Sequence, residues 1–173
     1  IEGYDKEQTV TKGHLVPNAD ERGKSIYLFE EADLGSWIVQ WGLRYDTREV
    51  DPAGLSQRDF SAVGGSLGAT YKLNEAWNIA ANLSRGFRAP SIFELYADGV
   101  HGGVQAYQIG NSDLKEETTL GGDISLRYQK GKNKASLTFY RTYVENYIYL
   151  ANTGFYRNAS GSLRSATLNA TTP

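Results

Sequence analysis

The sequence predicts an all-β fold, an antiparallel portion of a transmembrane β-barrel, and three observations carry that expectation. Apolar residues recur at alternate positions in segments of about ten residues. The connections between those segments alternate between short and long. Charged side chains fall on the face opposite the apolar one, as in a barrel with a wet or plugged interior.

Composition narrows the class. Twelve tyrosines and 19 glycines in 173 residues suit strands and tight turns, and cysteine is absent, which excludes a disulfide framework and thiolate metal sites. With 18 basic and 20 acidic residues the net charge is -2, which gives no reason to expect nucleic acid or an anionic lipid surface as a partner. No run of about 18 apolar residues exists, so no transmembrane helix is expected, and the first residues lack a signal-peptide pattern. Barrel strands escape such tests, because only every second side chain is apolar.

Taken in order, the first strand is expected around Ser25 to Glu31. From Ser36 to Asp46, Trp37, Val39, Trp41, Leu43 and Tyr45 alternate with Ile38, Gln40, Gly42 and Arg44, which is period two with aromatics near both ends. Phe60 to Leu73 repeats this, with Val63, Leu67, Ala69 and Tyr71 on one side. Trp77, Ile79, Ala81 and Leu83 then alternate with Asn78, Ala80, Asn82 and Ser84. Leu120, Ile124, Leu126 and Tyr128 oppose Asp123, Ser125 and Arg127, and Ala135, Leu137 and Phe139 close the series. Short turns are expected at 31–33, 74–76 and 131–134. Long links are expected at about 50–59, at about 90–117, and after Leu150. Segments of this length match the roughly 9–11 tilted residues that cross a hydrocarbon layer.

The stretch from Leu83 to Tyr96 carries a resemblance. Phe87-Arg88-Ala89-Pro90 is followed by Glu94-Leu95-Tyr96, and the far end of the same link reads Gly110-Asn111-Ser112-Asp113-Leu114-Lys115-Glu116-Glu117. This order resembles the paired boxes of TonB-dependent outer-membrane receptors, with Ser112 standing where the family usually has proline. The resemblance runs from Trp77 to about Tyr149. On physical grounds Pro90 ends a rising strand and holds Ala89 extended. Asn111 and Asp113 favour side-chain turns, and Gly110 permits a positive φ. Phe87, Arg88, Ala89, Pro90, Glu94, Leu95, Tyr96, Gly110, Asn111, Leu114 and Glu116 are therefore expected to shape the loop.

The resemblance implies a bacterial outer-membrane location, with long loops outside and lipid around the wall. It also implies energised uptake of a scarce nutrient, zinc or haem first and a ferric siderophore as the alternative. Residues 1–173 are then expected to supply about six to eight strands of one barrel of about 22. The plug domain that meets periplasmic TonB is expected to lie outside them. His101 in Leu95-Tyr96-Ala97-Asp98-Gly99-Val100-His101 resembles a zinc-uptake arrangement, and imidazole suits zinc and haem iron alike. His14 is the other metal candidate, and Tyr96, Asp98, Tyr107 and Arg88 are the further ligand candidates. No cofactor is required; zinc or haem enters only as transported ligand. No nucleophile elbow or phosphate-binding glycine fingerprint appears, so an enzyme is not expected. A passive channel or a small adhesin-like barrel is the reading from another class.

Overall fold

The computed structural model describes residues 2–9, 15–101, 106–152, 154–157 and 163–165. Its main element is a seven-stranded antiparallel sheet built from β1 (Glu2–Gln8), β2 (Ala19–Asp33), β3 (Trp37–Pro52), β4 (Arg58–Lys72), β5 (Trp77–Arg88), β8 (Glu117–Lys130) and β9 (Asn133–Glu145). Each strand pairs with the next along the sheet, as a meander requires. Between β5 and β8 lie helix α1 (Ile92–Tyr96) and a hairpin of β6 (Asp98–His101) and β7 (Ala106–Ile109). A last small hairpin joins β10 (Phe155–Arg157) to β11 (Leu163–Ser165).

Alternation of side chains turns this register into two chemically different faces. On one face Tyr45 pairs with Val63, Leu43 with Gly65, Trp41 with Leu67 and Trp37 with Tyr71. The band continues through Ile79, Ala81 and Leu83 on β5, Leu126 and Ile124 on β8, and Leu137 and Phe139 on β9. Trp37, Leu43, Leu67, Leu83 and Phe139 stand exposed, and no described element covers them. The opposite face carries Ser25, Arg44 and Asp46 in one hydrogen-bonded group. Asn82 donates to Asp123 on the same face at 3.0 Å, and Ser125 meets Thr138 at 2.9 Å. Such a surface satisfies its polar groups across strands and suits water or another polar domain.

Aromatic rings mark one rim of the apolar band. Trp37 packs on Tyr71 with centroids 4.7 Å apart, and Trp77 on Tyr128 at 4.9 Å, all beside the short turns. Rings with an apolar body and a polar tip belong where hydrocarbon meets headgroups. The main cluster of buried residues lies at the other end, on the polar face. Ala19, Val50 and Phe60 from the wall pack there with Val16, Ala89, Ile92, Leu95, Tyr96 and Ala97, and Pro52 and Pro90 are fully buried.

Several boundaries differ from the sequence expectation. The strands run to 16 residues in β3 and 15 in β2 and β4, beyond what a hydrocarbon layer needs. The turn expected at 31–33 lies within β2 and moves to 34–36, where Leu34 N–H donates to Trp37 and Gly35 adopts φ 78°. The link expected at 50–59 shrinks to 53–57, and the turn at 131–134 to 131–132. These strand ends were hidden because above the apolar band the outward face is polar and the other face carries only scattered apolar residues such as Val50 and Phe60, so period two fades. β1 was missed for that reason, and its partner Ala19–Ser25 with it.

Leu67 lies midway between Tyr71 and Val63 on the apolar face of β4. Leu67→Arg in the full-length protein, reconstituted in lipid vesicles and unfolded with urea, is expected to cost about 2–4 kcal/mol. Gln40→Arg on the opposite face is expected to cost less than about 1 kcal/mol.

Candidate functional site

The described residues between Ala89 and Glu116, 89–101 and 106–116, form a strap that turns back over the polar face. Its entry is set by Ser91, whose hydroxyl accepts from Glu94 N–H while the Glu94 carboxylate accepts from Ser91 N–H at 2.7 Å. This capping box starts a helix of only five residues, which buries Ile92, Leu95 and Tyr96 on one side. The Ser-x-x-Glu spacing was legible in the sequence; the helix was not, because a single turn leaves no 3.6-residue period to read.

Arg88 is the hub beneath the strap. Its Nη1 donates to both Glu94 oxygens at 3.0 and 2.8 Å, and Nη2 reaches Glu117 at 3.3 Å. Glu117 in turn accepts from Ile148 N–H at 3.0 Å, so one carboxylate joins β5 and the segment beyond β9. Burial raises the Glu94 carboxyl, but hydrogen bonds from Arg88 and Ser91 outweigh it and hold the group below its ordinary 4.5. The acidic residue of the second box that meets Arg88 is thus Glu117. Glu116 contributes its carbonyl, which accepts from the Asn146 side chain at 3.2 Å. Register carries the signal: Arg88 pairs with Glu117, so the two side chains share a face.

The second box closes the strap by backbone contacts. Asn111 N–H donates to Glu94 carbonyl at 2.8 Å and Gly110 N–H to Ala97 carbonyl at 2.6 Å. The Asn111 side chain accepts from Asp113 N–H at 2.9 Å, the expected local turn. Gly110 is needed for a different reason than expected. It is not among the positive-φ glycines; a Cβ there would stand 2.6 Å from the Leu95 carbonyl and the Tyr96 nitrogen. Two wall contacts complete the closure, Arg58 Nη2 to Leu114 carbonyl at 2.9 Å and Tyr96 Oη to Ser56 carbonyl at 2.7 Å. Burial pushes the Tyr96 phenol above its ordinary value.

The ligand candidates therefore separate into two groups. Arg88 and Tyr96 are engaged in holding the strap to the wall. Asp98 and Tyr107 lie on the β6–β7 hairpin, where the phenol donates to the carboxylate at 2.7 Å. His101 ends β6, is part-buried, and has an enclosed Nδ1 with no hydrogen-bond partner among the described residues. His14 lies outside the described residues, so its pairing with His101 has no geometry. No three His, Cys, Asp or Glu side chains gather as a metal site among the described residues.

Gly110→Ala is expected to loosen the strap by about 1–3 kcal/mol, read as faster proteolytic cleavage between Ile92 and Gln108. The strap also depends on pH. Because the folded Glu94 carboxyl titrates below 4.5, its contribution is complete above that value and is lost as pH falls through the lower folded one. A spin label at Phe93→Cys is expected to be immobile at neutral pH and freed on acidification, and mobile at every pH in Arg88→Ala.

The chain matches the family described as TonB dependent receptor-like, beta-barrel, over residues 3–171. It is 41% identical over 71 residues to the iron-regulated outer membrane virulence protein of Vibrio cholerae, covering 39% of this chain and 11% of that protein. It is 28% identical over 153 residues to the ferric enterobactin receptor PirA of Pseudomonas aeruginosa, covering 81% of this chain and 19% of that one. The chain thus spans a fifth or less of the length of these relatives. Among solved structures, the hemophore receptor HasR of Serratia marcescens, in complex with its hemophore HasA and heme, superposes with a TM-score of 0.73 over 90% of this chain and 30% of its own, at 17% identity. That likeness concerns the fold. With an apolar outer band, a polar inner face and a family match across nearly its whole length, the chain belongs to the TonB-dependent receptor β-barrel family, as part of the barrel wall.

Proposed function

We propose that this wall segment serves an outer-membrane receptor that takes up a ferric siderophore, with energy delivered by periplasmic TonB through a plug domain. The observation that carries the reading is the strap. A barrel wall closes its backbone hydrogen bonds without it, yet the described residues of the strap fold over the lumen face and are pinned by Arg88, Tyr96, Arg58 and Gly110. Pinning holds the β6–β7 hairpin above the lumen, at the end of the wall where external ligand arrives. The names of the relatives, an iron-regulated protein and a ferric enterobactin receptor, support an iron complex as cargo.

Haem is the second reading, and His101 favours it. Its unpartnered Nδ1 on the held hairpin is the kind of donor that haem iron takes. Zinc draws no support from the named relatives, and no three His, Cys, Asp or Glu side chains gather as a metal site among the described residues.

The test uses the full-length receptor in a strain lacking its own iron-complex and haem receptors. Iron-limited uptake of ferric enterobactin, haem and zinc is compared with and without TonB. TonB-dependent iron uptake from ferric enterobactin, unchanged in His101→Ala, is the expected result. Haem uptake that collapses in His101→Ala moves the reading to haem, and uptake of zinc alone contradicts both.

A further inference from the structure

Gly64 and Gly65 sit in β4 where its ladder with β5 stops. The β3–β4 pairing continues up to Arg58, whereas β4–β5 pairing ends at Gly65 opposite Arg85. Above that fork β5 pairs only with β8. Arg85 bridges the opening, donating from Nη1 to the Val63 carbonyl that the ladder leaves unpaired.

The fork leaves a groove of about 400 Å³ on the lipid face. Its walls are Trp41, Leu43, Val63, Leu67, Leu83 and Leu120, and its floor lacks side chains because Gly65 supplies none. Arg85 is the one cation among its lining residues. Among the described residues, one of the five N–H donors of its guanidinium is used and no carboxylate pairs with it. Arg85 follows Trp77 by eight residues on the same strand. At a rise of about 3.3 Å per residue and a tilt of about 35–45°, that places it roughly 20 Å above the aromatic rim. The apolar band of such a barrel is about 25 Å tall, so the long arginine side chain reaches the outer headgroup level.

An arginine facing hydrocarbon near midplane is costly, whereas one near the outer interface is cheap and meets phosphate. A guanidinium with spare donors in a planar fork matches a phosphate monoester, and an apolar groove running inward below it matches an acyl chain. We propose that this groove is a binding site for a phosphorylated lipid of the outer leaflet, with one acyl chain against Leu67 and Leu83 and its phosphate on Arg85. The net charge of the chain concealed it, because the site needs one cation at one depth.

The full-length receptor in detergent is titrated with bisphosphorylated lipid A, with the same lipid after phosphate removal, and with inorganic phosphate, and retained lipid is read by native mass spectrometry. Wild type is expected to retain the phosphorylated lipid, and Arg85→Gln to bind it about tenfold more weakly. Arg85→Lys, which keeps the charge, recovers part of the loss. Leu83→Trp, which fills the groove from its wall, loses the lipid with Arg85 intact. Equal retention of both lipids by wild type and Arg85→Gln overturns the site. Competition by inorganic phosphate as effective as the lipid overturns the acyl-chain half and with it the proposal. Cargo uptake is measured on the same variants, so that failure here is distinct from failure of the transport reading.

Discussion

Backbone polar groups that face lipid find no water, and every other feature of this wall follows from that constraint. A strand in hydrocarbon must give each N–H and C=O to a neighbouring strand, which forces a closed run of antiparallel pairs. Pairing then fixes register, and register divides the side chains between two solvents. One slip of a single residue in β4 would send Leu67 inward and Ser66 out to lipid. The cross-strand pairs Trp37 with Tyr71 and Trp77 with Tyr128 hold the rim where the layer ends.

The same parity places the strap. Arg88 and Glu117 are opposite one another on the lumen face, so the ends of the long connection between β5 and β8 meet with complementary charge. Glu94 joins them through the capped helix, and the strap then has one direction in which to fold. Burial of Ile92 and Leu95 against Val50 and Phe60 adds an apolar contact inside an otherwise polar lumen wall. What the motif residues contribute is a fixed platform. The residues left to meet cargo are those the platform carries.

Much of the wall was readable because alternation survives wherever one face is apolar. Trp37 to Tyr45 and Ile79 to Leu83 were assigned to their faces without error. The strand ends beyond Asp46, and all of β1, were not readable, because the outward face is polar there and isolated apolar residues such as Val50 and Phe60 on the other face leave no sustained period of two. Gly110 was recognised as essential for a backbone reason, but the reason is the carbonyl of Leu95 against it and not its own φ. Contact across a fold leaves no local trace in sequence. Glu116 and Glu117 stand side by side in the second box with the same chemistry, and only the register with Arg88 separates them. The chemistry at His101 stands on a geometry that the sequence could suggest but not close.

The assignment of faces is tested most directly by nitroxide scanning of β4 from Val63 to Tyr71 in the full-length receptor embedded in lipid. Labels at Val63, Gly65, Leu67, Ala69 and Tyr71 are predicted to collide with oxygen dissolved in the bilayer. Those at Gly64, Ser66, Gly68 and Thr70 should be shielded from it, giving a period of two. A flat profile, or one with the two sets exchanged, would contradict the account.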